Sequence, residues 1–202
     1  MLWLLPSPLA AQQLLDRVVA RVDGSAITLT DVRAAVALGV LDLPPEAGED
    51  AAAERLIDRQ LVLVEVARFT PPEPPPADVA REAAAMTARV GEGVAALMQR
   101  TGLDEGRVRE IARDTLRIQA YLNQRYGTAS QLTEDEVLQY YRIHPEDFTR
   151  ENRLAPFAEA EPLARRRAAA ERRAAAVAQL LRDLRGRAEI VMSRRSAVGG
   201  RQ

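Results

Sequence analysis

The chain of 202 residues has no cysteine and no lysine, a single histidine and a single tryptophan. Without a thiol it has no disulfide framework, no thiolate nucleophile and no cysteine-ligated zinc. His144 is the sole imidazole, which leaves no two-histidine metal site. Its place directly before Pro145 reads as part of a helix-ending turn rather than as a catalytic base. A phosphate-cradling loop is also missing: Gly91-Glu92-Gly93 follows no strand pattern and lacks the lysine of such a loop, and Gly199-Gly200 lies in the tail. These gaps argue against an enzyme, and no cofactor or metal is expected.

Aromatic residues make up only 4% of the chain against 47% hydrophobic residues in all. The core must therefore come from Leu, Val, Ile and Ala, which suit helix packing, so a mainly α fold is expected. No apolar run is long enough to span a bilayer. The longest candidate, residues 1–11, is too short and reads instead as a signal-peptide remnant running into small residues, which implies a periplasmic location.

All 28 basic residues are arginine, and their distribution is uneven. Residues 1–149 hold 15 arginines against 23 acids, whereas residues 150–202 hold 13 against 6. Arg165, Arg166, Arg167, Arg172, Arg173, Arg182, Arg185, Arg187, Arg194 and Arg195 are the main basic cluster of that half. A nucleic-acid or membrane-surface module is one reading of that cluster. No aromatic residues interleave, so the solvated face of a helix is preferred and no nucleic-acid partner is expected. The acids Glu134, Asp135 and Glu136, and Glu146 and Asp147, sit at expected helix ends, where carboxylates cap and favour turns.

Along the chain, Val18–Val22, Asp23-Gly24 and Ser25–Thr28 read as a hairpin, because Asp-Gly supplies the positive φ of a two-residue turn. Thr30 or Asp31 then caps a short helix carrying Val32, Val36 and Val40. Leu61–Val66 has the β-branched content of a strand, but an Asp50 cap and the alanine-rich approach favour one buried helix to Phe69. Thr70–Pro76 is a stiff connector. Helix resumes over 77–90, breaks at Gly91–Gly93, and runs to Arg100; Gly102 and Asp104 separate it from a long helix ending near Tyr126. Thr133–Glu136 is a capping box for a further helix closed by His144-Pro145. Leu163, Ala170, Ala174, Val177, Leu181 and Leu184 mark the stripe of a last helix ended by Gly186. Ala188–Met192 is a lone strand whose only available partner is the N-terminal hairpin.

Several of these segments, in order, resemble SurA-type periplasmic chaperones: Asp16–Val32, Leu56–Leu61, Gly102–Glu105, Thr133–Val137 leading through Tyr140-Tyr141 to His144–Phe148, and Leu184–Ile190. The resemblance implies a mainly α SurA N-terminal-like domain over residues 12–192, with its last helix and strand (163–192) packing back on the N-terminal part, and a tail over 193–202. In relatives carrying a parvulin-type prolyl isomerase, that module lies between the His144–Phe148 segment and the last helix. Here only Thr149 to Glu161 occupy the gap, too few residues for a domain. The expected function is thus an ATP-independent holdase for unfolded exported polypeptides, outer-membrane β-barrel precursors included. Met86, Leu97, Met98, Tyr140, Tyr141, Phe148 and Phe157 are the candidate client-binding residues, each with core packing as its alternative. A dedicated scaffold for one envelope-assembly partner is the other rival, and the oligomeric state stays open.

Overall fold

Asp23 and Gly24 both take positive φ, 48° and 83°, in the computed structural model, which describes residues 16–127 and 131–193. That turn joins β1 (Val18–Val22) to β2 (Ser25–Thr28), as Asp-Gly requires. β2 runs without a linker into α1 (Leu29–Ala37), so the cap is Thr28 rather than Thr30 or Asp31. Its hydroxyl accepts from the Asp31 N–H at 3.2 Å, while the Asp31 carboxylate accepts from the Thr28 N–H at 3.0 Å. The last strand residue already has the extended backbone that a cap needs, which fixes the boundary.

β5 (Ile190–Met192) pairs antiparallel with the other side of β1, giving the sheet order β2-β1-β5. Val22 lies opposite Ile190 and Ala20 opposite Met192. The pairing extends outward: the Asp23 N–H donates to Glu189 O at 2.9 Å and the Ser193 N–H to Val19 O at 3.0 Å. The fold is therefore mainly α with a small three-stranded sheet made from an N-terminal hairpin and a C-terminal strand. Residues 1–15 and 194–202, which include the expected signal segment and most of the tail, lie outside the described residues.

α2 (Glu49–Phe69) is helical throughout, Leu61–Val66 included. Ile57, Leu61, Val62 and Val66 are all buried on the sheet side, which rewards helix over the local strand propensity. Gly48 is its cap, and Asp50 sits in the first turn. Thr70 ends it in a left-handed conformation, φ 43°. α3 (Pro76–Val90) opens on a proline, whose missing N–H costs nothing in the first turn. A 3₁₀ turn at Gly91–Gly93 leads to α4 (Val94–Thr101), Gly102 stops it at φ 67°, and Asp104 caps α5 (Glu105–Tyr126) by accepting from the Arg107 N–H at 2.7 Å.

α6 (Glu134–Ile143) carries the expected Thr133/Glu136 capping box. A 3₁₀ turn, Pro145–Phe148, and a two-stranded ribbon, β3 (Thr149–Arg150) with β4 (Arg153–Leu154), connect it to α7 (Phe157–Arg187). α7 starts six residues before the expected Leu163 and passes through Gly186 instead of ending there. At 31 residues it is roughly 46 Å long. Its buried positions are Ala160, Ala164 and Ala168 at one end and Leu180 and Leu184 at the other, whereas Ala170 and Ala174 are exposed. Small residues are needed where α7 lies close against α6, and large ones where it fills the main core.

Three clusters result. The main core joins Ala20, Val22 and Ile27 of the sheet to α2, Tyr121 of α5, and Leu180 and Leu184. A second, under α3, α4 and α5, contains Leu38, Met86, Leu97 and Ala112. The third is small: Val137, Phe148, Ala160 and Ala164. α7 links the first cluster to the third.

A candidate peptide-binding cleft

α1, α2 and α5 diverge enough to leave a cleft of about 120 Å³ whose apolar walls include Ala34 and Ala35 of α1, Leu56 and Leu63 of α2, and Ile111 of α5. Ala26 and Ile27 of β2 and the loop residues Val40 and Leu103 add to the apolar walls, and Asp31, Gln60 and Arg107 line the cleft beside them. Arg59, one turn before Leu63 on the same helix, reaches across to α5. Its Nη2 donates to Ile111 O at 3.2 Å and to Thr115 Oγ1 at 2.9 Å. The Thr115 hydroxyl donates in turn to Ile111 O at 2.8 Å, so the guanidinium is held by a small rigid network.

Asp114 lines the same cleft from α5. Burial pushes its carboxyl above the ordinary aspartate value, and the positive charges of Arg59, Arg117, Arg107 and Arg113 offset only part of that shift. Burial likewise lowers the Arg59 guanidinium, against the opposing charge of Asp114. Among the described residues neither group forms an ion pair within 4 Å. The cleft thus combines apolar walls with several polar groups, among them a guanidinium and a carboxylate that make no direct ion pair, the composition of a site that orients a small ligand or a peptide group. Neither Arg59 nor Asp114 stands out in the sequence, because single charges on helices resemble any solvated position.

The residues selected from sequence fall elsewhere. Met86 and Leu97 are buried in the second cluster with Met98 packed against it. Phe148 is buried in the third, where Tyr140, Tyr141 and Phe157 surround it. The Tyr141 ring lies tilted at 5.2 Å from Phe148 and edge-on at 5.4 Å from Phe157, and its hydroxyl donates to Ala155 O at 2.7 Å. Tyr140 lies face to face with His144 at 4.1 Å and donates to Asp147 at 3.3 Å. Core packing therefore accounts for Met86, Leu97 and Phe148, and the aromatic set is a structural joint between α6 and α7.

A second and larger opening, about 900 Å³, lies between the β3–β4 ribbon and the start of α7. Arg150, Arg153 and Arg166 face it together with Asp147, Glu151 and Glu159, so its two signs of charge are mixed. Most of the basic residues of α7 have acidic partners on α2, on α6 or in the 3₁₀ turn after α6. Arg165 pairs with Glu134, Arg172 with Glu136, Arg167 with Asp147, and Arg187 with Glu65 at 3.8 Å. Arg185 pairs with both Asp58 and Glu54. The charge split seen in the sequence is thus largely a complementarity between α7 and the helices it crosses.

Among the described residues no cluster of His, Asp or Glu could hold a metal ion, and no helix is long and apolar enough to cross a membrane. The sequence matches no protein-family model and no curated protein.

Proposed function

We propose that the protein is an ATP-independent holdase of the SurA N-terminal type, acting in the periplasm on unfolded exported polypeptides such as outer-membrane β-barrel precursors. The observation that carries this reading is the return of β5 to β1 after a long last helix. It gives the hairpin, capped helix, helical body and closing strand in the order on which the resemblance rests. The cleft between α1, α2 and α5 supports it further, since its aliphatic walls and polar hooks suit transient capture of an extended chain. The ribbon Thr149–Leu154, with α7 starting at Phe157, supports a holdase without prolyl-isomerase activity.

The ion pairs of Arg165, Arg167, Arg172, Arg185 and Arg187 weigh against a nucleic-acid or membrane-surface module, because the neighbouring carboxylates offset the positive charge that such a surface would present. Fluorescence anisotropy with one labelled β-barrel protein tests the proposal. The protein binds the denatured form and not the detergent-folded form. Equal binding to both, or binding to a single folded envelope protein alone, would favour a dedicated scaffold.

A further inference from the structure

Three features make the α1/α2/α5 cleft more than an apolar dent. Its volume, about 120 Å³, is close to that of an apolar cavity of about 150 Å³ that holds a benzene ring, so one large aliphatic or aromatic side chain fits. Arg59 spends a single nitrogen, Nη2, on its two recorded hydrogen bonds, which leaves its other donors for a ligand. Asp114 offers two carboxylate oxygens, and no hydrogen bond to them is recorded among the described residues. Neither Arg59 nor Asp114 is fully buried, so their remaining donor and acceptor atoms face the open cleft, and a ligand that brings the complementary groups takes the place of water there.

A peptide group is that ligand: its carbonyl accepts from a guanidinium and its N–H donates to a carboxylate. On this basis we infer that the cleft is the client-reading site, binding one large apolar side chain of an extended polypeptide while Arg59 and Asp114 hold the backbone on either side of it. The inference rests on the holdase reading and adds its substrate class. Clients are read one apolar residue at a time, through backbone groups every sequence has, so selectivity falls on side-chain size and not on charge. Ala26 stands at the exposed mouth, where β2 meets the cleft.

The test uses the full chain and labelled Gly/Ser-rich peptides that differ only in one central guest residue, Ala, Leu or Phe. Leu and Phe guests bind at least about tenfold more tightly than Ala. Ala26→Trp, an exposed substitution that fills the mouth, weakens the Leu and Phe peptides by about tenfold and brings them near the Ala peptide. Asp114→Asn, which keeps the shape and removes the charge, weakens every peptide by a similar factor regardless of guest. Circular dichroism melts confirm that both variants fold. Equal affinity of wild type and Ala26→Trp for the Leu peptide would overturn the cleft as the site while leaving the holdase reading intact. Absence of binding to all peptides, together with absence of binding to a denatured β-barrel protein, would overturn both.

Discussion

Arg185 Nε donates to Asp58 Oδ1 at 2.6 Å, and its Nη2 reaches the Glu54 carbonyl at 3.2 Å and carboxylate at 2.8 Å. One guanidinium thereby fastens α7 to α2 across 127 residues of sequence. Asp58 is largely covered while Arg185 and Glu54 are partly exposed, so solvent screens the pairing in part. Arg185→Ala is expected to cost about 1–2 kcal/mol in urea unfolding. A double-mutant cycle with Asp58→Ala should return a coupling above about 0.5 kcal/mol; strict additivity would show that the contact does not hold the helix in solution.

The closing strand makes a separate contribution. Val191 and Met192 are 51% and 44% exposed and Ile190 is only half-buried, so β5 is held chiefly by its backbone bonds to β1. A chain ending at Arg187 should lose about 1–3 kcal/mol, and one ending at Ser193 almost nothing. Thermal melts of the two truncations compare them directly. Matching melting temperatures would mean that β5 does not contribute to stability.

Asp114 gives a pH signature. Because burial raises its carboxyl in the folded state, the stability linked to its proton is complete below the unfolded value, near pH ~4, and is lost as pH rises through the higher folded value. Asp114→Asn mimics the protonated form. It should therefore melt above wild type at pH 7, with the gap closing as pH falls below ~4. A variant less stable than wild type at pH 7 would show that the surrounding arginines compensate the charge and that burial does not penalise it.

Much of this fold can be read from local chemistry. Asp23-Gly24, Gly102, Asp104 and the Thr133/Glu136 box each place a turn or cap where the structure has one. The pairing of Ala188–Met192 with the hairpin follows from a lone strand needing a partner, and the structure bears it out over Ile190–Met192. The α7 stripe emerges in its leucines, with Leu184 buried and Leu163 and Leu181 packed against the cores, but not in its alanines, because alanine favours helix on every face and only the close approach of α6 distinguishes Ala164 and Ala168 from Ala170 and Ala174. The β3–β4 ribbon is equally hidden: its turn uses Glu151 and Asn152 at φ 48° and 64°, and a glutamate gives little hint of positive φ. The cleft is least legible of all, since only tertiary packing brings Arg59 of α2 and Asp114 of α5 to one opening.

Prolyl cis/trans exchange is the activity of the isomerase module carried by some of the SurA-type chaperones that the sequence resembles. Uncatalysed exchange takes tens of seconds or longer, so catalysis is easy to detect. With only the β3–β4 ribbon between the Pro145–Phe148 turn and α7, the protein should leave the exchange rate of a proline peptide unchanged at any concentration tried. A rate that rises in proportion to added protein would refute this.

Light scattering from a denatured β-barrel protein diluted out of urea, with an equimolar amount of this protein and no ATP, tests the holdase directly. Aliphatic burial is not screened by salt, whereas capture by exposed arginines is. Aggregation should be suppressed to a similar degree at about 0.05 M and about 0.5 M salt. Failure to suppress at either salt would contradict the holdase, and protection confined to low salt would transfer the binding to the arginine-rich face.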